Sequence, residues 1–265
     1  MRKIATKLTC KWLIALLTFA FMAFAPQAMA QYSAADLAVI DAMISANGLS
    51  WTPSSGGAPG FDWVVTWNAS SPQQIEKLDV SGLVTTPAPG LTVSGLSALK
   101  ELDCSGNSLP LLSALPSTLE VLNCSDNSLT ALPVLTNLTE LNCSGNSLPG
   151  LPTLPSTLEV LDCSGNSLTA LPTLSNLTAL NCSNNTLAGL PPLPSTLEVL
   201  DCSGNSLGGL PTLPGGLTDL NCSGNTLTAL QNPLPGTLVA LDCSNTGLTA
   251  LPDPLPGTLT ELNCS

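Results

Sequence analysis

Histidine is absent from this 265-residue chain, and arginine occurs once, at position 2. Without histidine the usual catalytic triads and histidine-based metal sites cannot be assembled. Six basic residues stand against eighteen acidic ones. Such a surface repels nucleic-acid phosphates and anionic membranes, which removes both from the set of partners. No glycine-rich loop of the kind that cradles phosphate is present either. Nothing in the sequence supports catalysis, so no enzyme is expected, and no cofactor.

The basic residues that do exist are unevenly placed. Arg2, Lys3, Lys7 and Lys11 precede an apolar run from Trp12 to Phe24, and Ala28-Met29-Ala30 follows as a small-x-small site. This is the pattern of a secretory signal peptide over residues 1–30, cut before Gln31. The uninterrupted apolar run is shorter than the ~18 residues that suggest a membrane span. After cleavage only Lys77 and Lys100 remain, two positive charges against eighteen negative, giving −16. A secreted, extracellular or cell-surface location follows as the expectation.

What the chain has in abundance is a repeat. Cys104, Cys124, Cys143, Cys163, Cys182, Cys202, Cys222, Cys243 and Cys264 recur every 19 to 21 residues, each inside a phrase such as LEVLDCSGNSL over 158–168. A fixed period of this length predicts a stacked solenoid. Alternation at Leu161 and Cys163 is a period-2 signal, with both side chains inward on one short strand per repeat. Between the strands lie segments such as LPTLP at 151–155 and 210–214, where proline fixes φ and removes a donor, so an extended return is expected instead of a helix. Units containing PSTLEVL (at Pro116, Pro155 and Pro194) alternate with Asn-Leu-Thr units (at Asn137 and Asn176), pointing to duplication of a two-repeat block.

The phrase LxxLxCxxNxL resembles the leucine-rich repeat consensus, with cysteine in the third apolar strand position, and the likeness runs from Ile75 to the last residue. It implies an α/β repeat solenoid: a horseshoe with one parallel β-strand per repeat, a proline-rich extended convex side and a small helical N-cap. The LPxLPxxL returns resemble the shortest bacterial repeats, those of certain secreted effectors. Such effectors can carry a ubiquitin-ligase domain, to which nothing here corresponds, so only the repeat architecture carries over.

Residues 31–74 do not repeat. Ser33 followed by Asp36 resembles a capping box; Leu37, Ile40 and Ile44 mark one helical face, and Asn47-Gly48 is a stop signal. Trp51, Phe61, Trp63 and Trp67 come next, resembling the N-terminal cap of many leucine-rich repeats without its cysteine pair. Aromatic packing is expected to replace that pair, with sugar stacking as the alternative role. The organisation expected is therefore 1–30 signal peptide, 31–74 cap, and 75–265 repeat array, truncated in its last repeat at Asn263-Cys264-Ser265.

Three columns of polar or reactive side chains follow from the repeat. The cysteines are expected to be nine free thiols acting as small buried hydrophobes, because strands ~4.8 Å apart with parallel side chains strain any bridge between neighbours. Asn107, Asn127, Asn146, Asn166, Asn185, Asn205 and Asn225 form a second column; the resemblance implies that they bond backbone inside the turns. At position 246 threonine replaces this asparagine.

The third column is the candidate binding face. Asp103, Asn123, Asn142, Asp162, Asn181, Asp201, Asn221 and Asp242 precede the cysteines on the exposed, concave side, a serine follows two positions later, and Glu101 and Glu140 flank them. Such an acidic, amide- and hydroxyl-rich ladder suits a basic protein surface or a glycan. Calcium is a weaker reading: the oxygens are many, but they lie in flat ladders and form no D-x-D-x-D-G loop, so no metal site is assigned. The competing expectations are a structural spacer or adhesin stalk, or the repeat part of a larger effector.

Overall fold

The computed structural model describes residues 33–39, 65–67, 74–82, 91 and 93–265. The expected signal peptide lies outside them, as do Ile40, Ile44, Asn47, Gly48, Trp51, Phe61 and Trp63. Among the described residues no helix is long and apolar enough to cross a membrane.

Among the described residues eleven strands form one sheet in strict sequence order. β1 (Val65–Trp67) pairs antiparallel with β2 (Ile75–Asp79). From β2 onward every pairing is parallel, through β3 (Glu101–Asp103), β4 (Val121–Asn123), β5 (Glu140–Asn142) and β6 (Val160–Asp162). It continues through β7 (Ala179–Asn181), β8 (Val199–Asp201), β9 (Asp219–Asn221), β10 (Ala240–Asp242) and β11 (Glu261–Asn263). The ten parallel strands are the inner wall of a horseshoe solenoid of stacked coils. Register never slips along them: Leu78, Leu102, Leu122, Leu141, Leu161, Leu180, Leu200, Leu220, Leu241 and Leu262 are partners in one line.

In the last coil Leu262 and Cys264 are exposed, whereas each coil from β3 to β9 buries the same set of side chains. In the sixth strand's coil these are Leu158, Leu161, Cys163 and Leu168, none more than 2% exposed. Among the described residues the returns contain no helix or strand, in keeping with their prolines. Alternation of the two unit types has a structural basis there. Thr157 Oγ1 donates to Leu138 O at 2.7 Å and Thr196 Oγ1 to Leu177 O at 2.8 Å, while in the intervening units Asn137 Nδ2 donates to Ser117 O and Asn176 Nδ2 to Ser156 O, both at 2.6 Å. Threonine in one unit and asparagine in the next thus satisfy different carbonyls of the preceding coil.

The turn after each cysteine needs a left-handed residue. Gly165 has φ of 61°, and its counterparts Asp126, Asn184 and Asn245 adopt 52–54°. Glycine, aspartate and asparagine are the residues that tolerate this region, which explains why the column admits only those three.

At the other end of the sheet, residues 34–39 are helical. Ser33 caps this segment, its Oγ accepting from Asp36 N at 3.3 Å. The reciprocal half of the expected capping box is replaced by a longer reach. Asp36, 1% exposed, turns its Oδ2 onto the N–H of Ile75 at 2.6 Å, tying the helical segment to β2. Leu37 is half-buried, and Val39 packs on the core beside Gly95, where an added Cβ would lie 2.8 Å from its Cγ2.

Candidate binding surface

Two of the three columns face inward and are used up in holding the coils. Eight cysteines, from Cys104 to Cys243, are buried, and all nine described cysteines are free thiols; Cys264 is exposed. Burial pushes the thiols of Cys104, Cys143, Cys182 and Cys222 up to about 12, with neighbouring aspartates and cysteines adding to the effect. Cys124, Cys163 and Cys202 are raised as well, by burial first and adjacent thiols second. These sulfurs are protonated and inert at neutral pH, since the thiolate is the nucleophile.

Beside them the inner asparagines from Asn127 to Asn225 make four bonds each. Asn166 Nδ2 donates to Cys143 O of the preceding coil at 3.0 Å and to Cys163 O and Ser164 O at 3.1 Å, while its Oδ1 accepts from Leu148 N at 3.0 Å. Asn127, Asn146, Asn185 and Asn205 repeat the pattern. Thr246, at the equivalent position, keeps one of these bonds, from its Oγ1 to Cys243 O.

The third column lies on the concave face, with its residues in register from Asp79 and Asp103 to Asn263. Here the expectation of a freely exposed ladder is corrected: Asp103, Asn123, Asn142, Asp162, Asn181, Asp201, Asn221 and Asp242 are half-buried and bonded to their own turns. Asp162 Oδ1 accepts from Ser164 N at 2.9 Å and Ser164 Oγ at 2.7 Å, and Asp103, Asp201 and Asp242 do the same with Ser105, Ser203 and Ser244. The cause is local: an Asx side chain reaches the N–H two residues on as the chain turns. Serine hydroxyl protons are committed in the same way at Ser125, Ser144 and Ser223, while Ser183 Oγ accepts from Asn184 Nδ2 at 3.4 Å; Ser125, Ser183 and Ser244 are buried.

A second set of bonds runs across the strands. Asn123, Asn181, Asn221 and Asn263 donate from Nδ2 to the Oδ2 of Asp103, Asp162, Asp201 and Asp242 at 2.9–3.2 Å. From Asp162 onward each aspartate is thus flanked by asparagine; at the start of the column Asp79 adjoins Asp103, and at Asn123–Asn142 two amides are neighbours. Burial raises the Asp242 carboxyl, but bonds from Ser244 and Asn263 outweigh it and hold the group below its ordinary value. What remains open along this column is acceptor capacity: aspartate lone pairs and serine oxygens.

Of the column beside it the sequence reading named Glu101 and Glu140 and missed the apolar members. Lys77, Glu101, Val121, Glu140, Val160, Ala179, Val199, Asp219, Ala240 and Glu261 are partners in one line, two residues before the Asp/Asn column and on the same face. Val160 is 38% exposed and Val199 42%. Glu120, Glu159 and Glu198 are exposed at the N-terminal ends of β4, β6 and β8. The signal was available, because both outer positions of a three-residue strand share one face.

Positive charge is confined to one end. Lys77 pairs with Glu101, and Lys100 with Glu76 at 2.7 Å. The hydrogen bond and charge of Glu76, followed by the charge of Glu120, hold the Lys100 ammonium above its ordinary value. An open groove of about 730 Å³ passes Glu76, Lys100, Glu120, Asn137 and Thr139. Among the described residues, no three His, Cys, Asp or Glu side chains converge to hold a metal ion.

Comparison with known proteins agrees with this architecture. Sequence models of leucine-rich repeats match residues 117–153, 157–177 and 196–217, so the chain carries leucine-rich repeats. Among solved structures, YopM from Yersinia enterocolitica WA-314 is 38% identical with a TM-score of 0.62, over 64% of this chain and 38% of that one. YopM from Yersinia pestis, described as a leucine-rich effector protein, is 35% identical with a TM-score of 0.63, over 71% of this chain and 59% of its own. The functional domain of InlJ from Listeria monocytogenes, described as including a cysteine ladder, is 28% identical with a TM-score of 0.55, over 72% and 48%. The chain therefore spans 38% and 59% of the two YopM chains. A search of curated proteins finds no match.

Proposed function

We propose that this is a secreted or cell-surface binding module, not an enzyme, whose concave face receives a basic protein. The observation that carries the reading is the composition of that face between β4 and β10. Exposed valines lie between a rim of glutamates and a column of aspartates with open acceptor capacity, and both lysines of the array are paired at the far end. Electrostatic complementarity of this kind steers encounter and selects partners, and apolar contact area adds to the affinity. A glycan is the alternative ligand, since hydroxyl donors also suit acceptor-rich strips. The leader-like residues 1–30 support export, and N-terminal sequencing of exported protein should begin at Gln31.

The likeness to a protein described as an effector favours one second reading, the repeat part of a larger effector. Direct binding measurements test the main one. The chain should bind polylysine by isothermal titration, and the double variant Glu159→Lys/Glu198→Lys, at exposed positions that leave the turn bonds of Asp162 and Asp201 intact, should lose most of that binding with its melting temperature unchanged. Equal binding by both forms, or binding of neutral oligosaccharides alone, would remove the basic-protein reading.

A further inference from the structure

The concave face repeats with a period of two strands, and that period specifies more than charge. Glu120, Glu159 and Glu198 stand at β4, β6 and β8; Val121, Val160 and Val199 occupy the same three strands; Asp162, Asp201 and Asp242 stand at β6, β8 and β10. The strands between carry Thr139, Thr178 and Thr218 at the rim, Asn142, Asn181 and Asn221 in the column, and Glu140, Ala179 and Asp219 in line with the valines, so the rim and the Asp/Asn column carry the period. Neighbouring strands are ~4.8 Å apart, so each feature recurs about every 9.6 Å along the solenoid axis. An unbroken register keeps that spacing throughout.

We infer that the ligand is a proline-rich segment in the polyproline II conformation, seated on the Val160–Ala179–Val199 stretch of the concave face with a basic residue at every third position. This deepens the basic-protein reading and rests on it. Polyproline II has three residues per turn and rises ~3.1 Å per residue, so one face recurs about every 9.3 Å. An extended β-strand repeats a face every ~6.7 Å, and a helix approximately repeats one every seven residues, ~10.5 Å. From β6 through β8 to β10 the polyproline repeat stays within ~1 Å of every carboxylate, while a β-strand repeat misses the one at β8 by ~3 Å and a seven-residue helix repeat has drifted ~2 Å by β10. The half-exposed valines supply a second reason. Proline rings need an apolar track, and Val160, Ala179 and Val199 provide one flanked on both sides by acceptors. A preformed segment also loses little conformational entropy on docking.

Fluorescence anisotropy with three peptides of equal length and lysine count tests the inference on the full chain. One repeats Pro-Pro-Lys, one contains the same residues with the lysines in a block, and one places lysine at alternate positions in a threonine background. The Pro-Pro-Lys peptide should bind about tenfold more tightly than either of the others, as matched multivalent contacts predict. That margin should vanish in Asp162→Asn/Asp201→Asn, which keeps the Oδ1 acceptors used by Ser164 and Ser203, as Asn142 and Asn181 do naturally. Equal binding of all three peptides would overturn the periodic template while leaving the basic-protein reading standing. Failure of all three would overturn both.

Discussion

The inner and outer asparagine columns are built from one residue type in one repeat, yet they do different work. Asn166 gives its whole amide to backbone groups of two adjacent coils, and its cysteine neighbours are sealed from water. Asn181 sits on the concave face, bonds the Asp162 carboxylate and the Ser183 N–H, and remains half-exposed. The inner position is invariant from coil 107 to coil 225 because only a carboxamide offers the required donor and acceptor together. The outer position accepts aspartate or asparagine alike, because both supply the Oδ1 that its turn needs. Freedom at the outer position is what allows a surface to be written on the sheet.

The comparison breaks most completely at high pH. The buried thiols have folded pKa values above the ordinary 9.0. In that situation the unfolded chain releases protons first, so stability is intact below pH 9 and falls as pH rises toward about 12. Each thiol contributes a slope of about 1.4 kcal/mol per pH unit across that window. Circular dichroism should show cooperative alkaline unfolding, and replacing Cys143, Cys163 and Cys182 with alanine should flatten the slope even though the cavities lower stability at neutral pH.

Asn185→Ala comes next. Asn185 is buried, and the change leaves three carbonyls and the Leu168 N–H without this partner, a loss on the order of 3 kcal/mol, given the cost of buried unsatisfied groups. Denaturant titration should show that loss, whereas Asn181→Ala should cost about 1 kcal/mol or less, since water can replace its bonds. Equal losses at the two positions would erase the distinction. At the cap, Asp36→Ala removes the acceptor for Ile75 N; hydrogen exchange at that amide should accelerate while Leu180 stays protected. The smallest effect is Asp242→Asn. The folded carboxyl titrates below its ordinary value, so it stabilises above the unfolded pKa and loses that contribution as pH falls; the variant should show a slightly shallower decline of stability in acid.

Much of this was legible in the sequence because the period repeats one local solution. Strand positions, buried cysteines, extended returns and the inner asparagine column all follow from a single phrase. The Asp-x-Ser bonding was also written there, as an Asx-turn pattern, yet a column read as exposed concealed it. The valines on the concave face were overlooked because attention to cysteine spacing favours the residue adjoining it. The bond from Asp36 to Ile75 spans 39 positions in sequence, and no local pattern announces it. The interlock of Thr157 with Leu138 O and Asn137 with Ser117 O showed in sequence only as a two-unit alternation, whose cause needed the stacked coils.

Carboxylate footprinting tests the central claim most directly. The chain would be labelled with a carbodiimide and an amine, alone and with bound polylysine, and the modified residues read by mass spectrometry. If the concave face is the binding surface, Glu159, Asp162, Glu198 and Asp201 will be protected while Asp253, exposed on the return after Leu251-Pro252, reacts as before. Protection of Asp253 to the same extent would show diffuse attraction to an acidic protein and contradict a binding face.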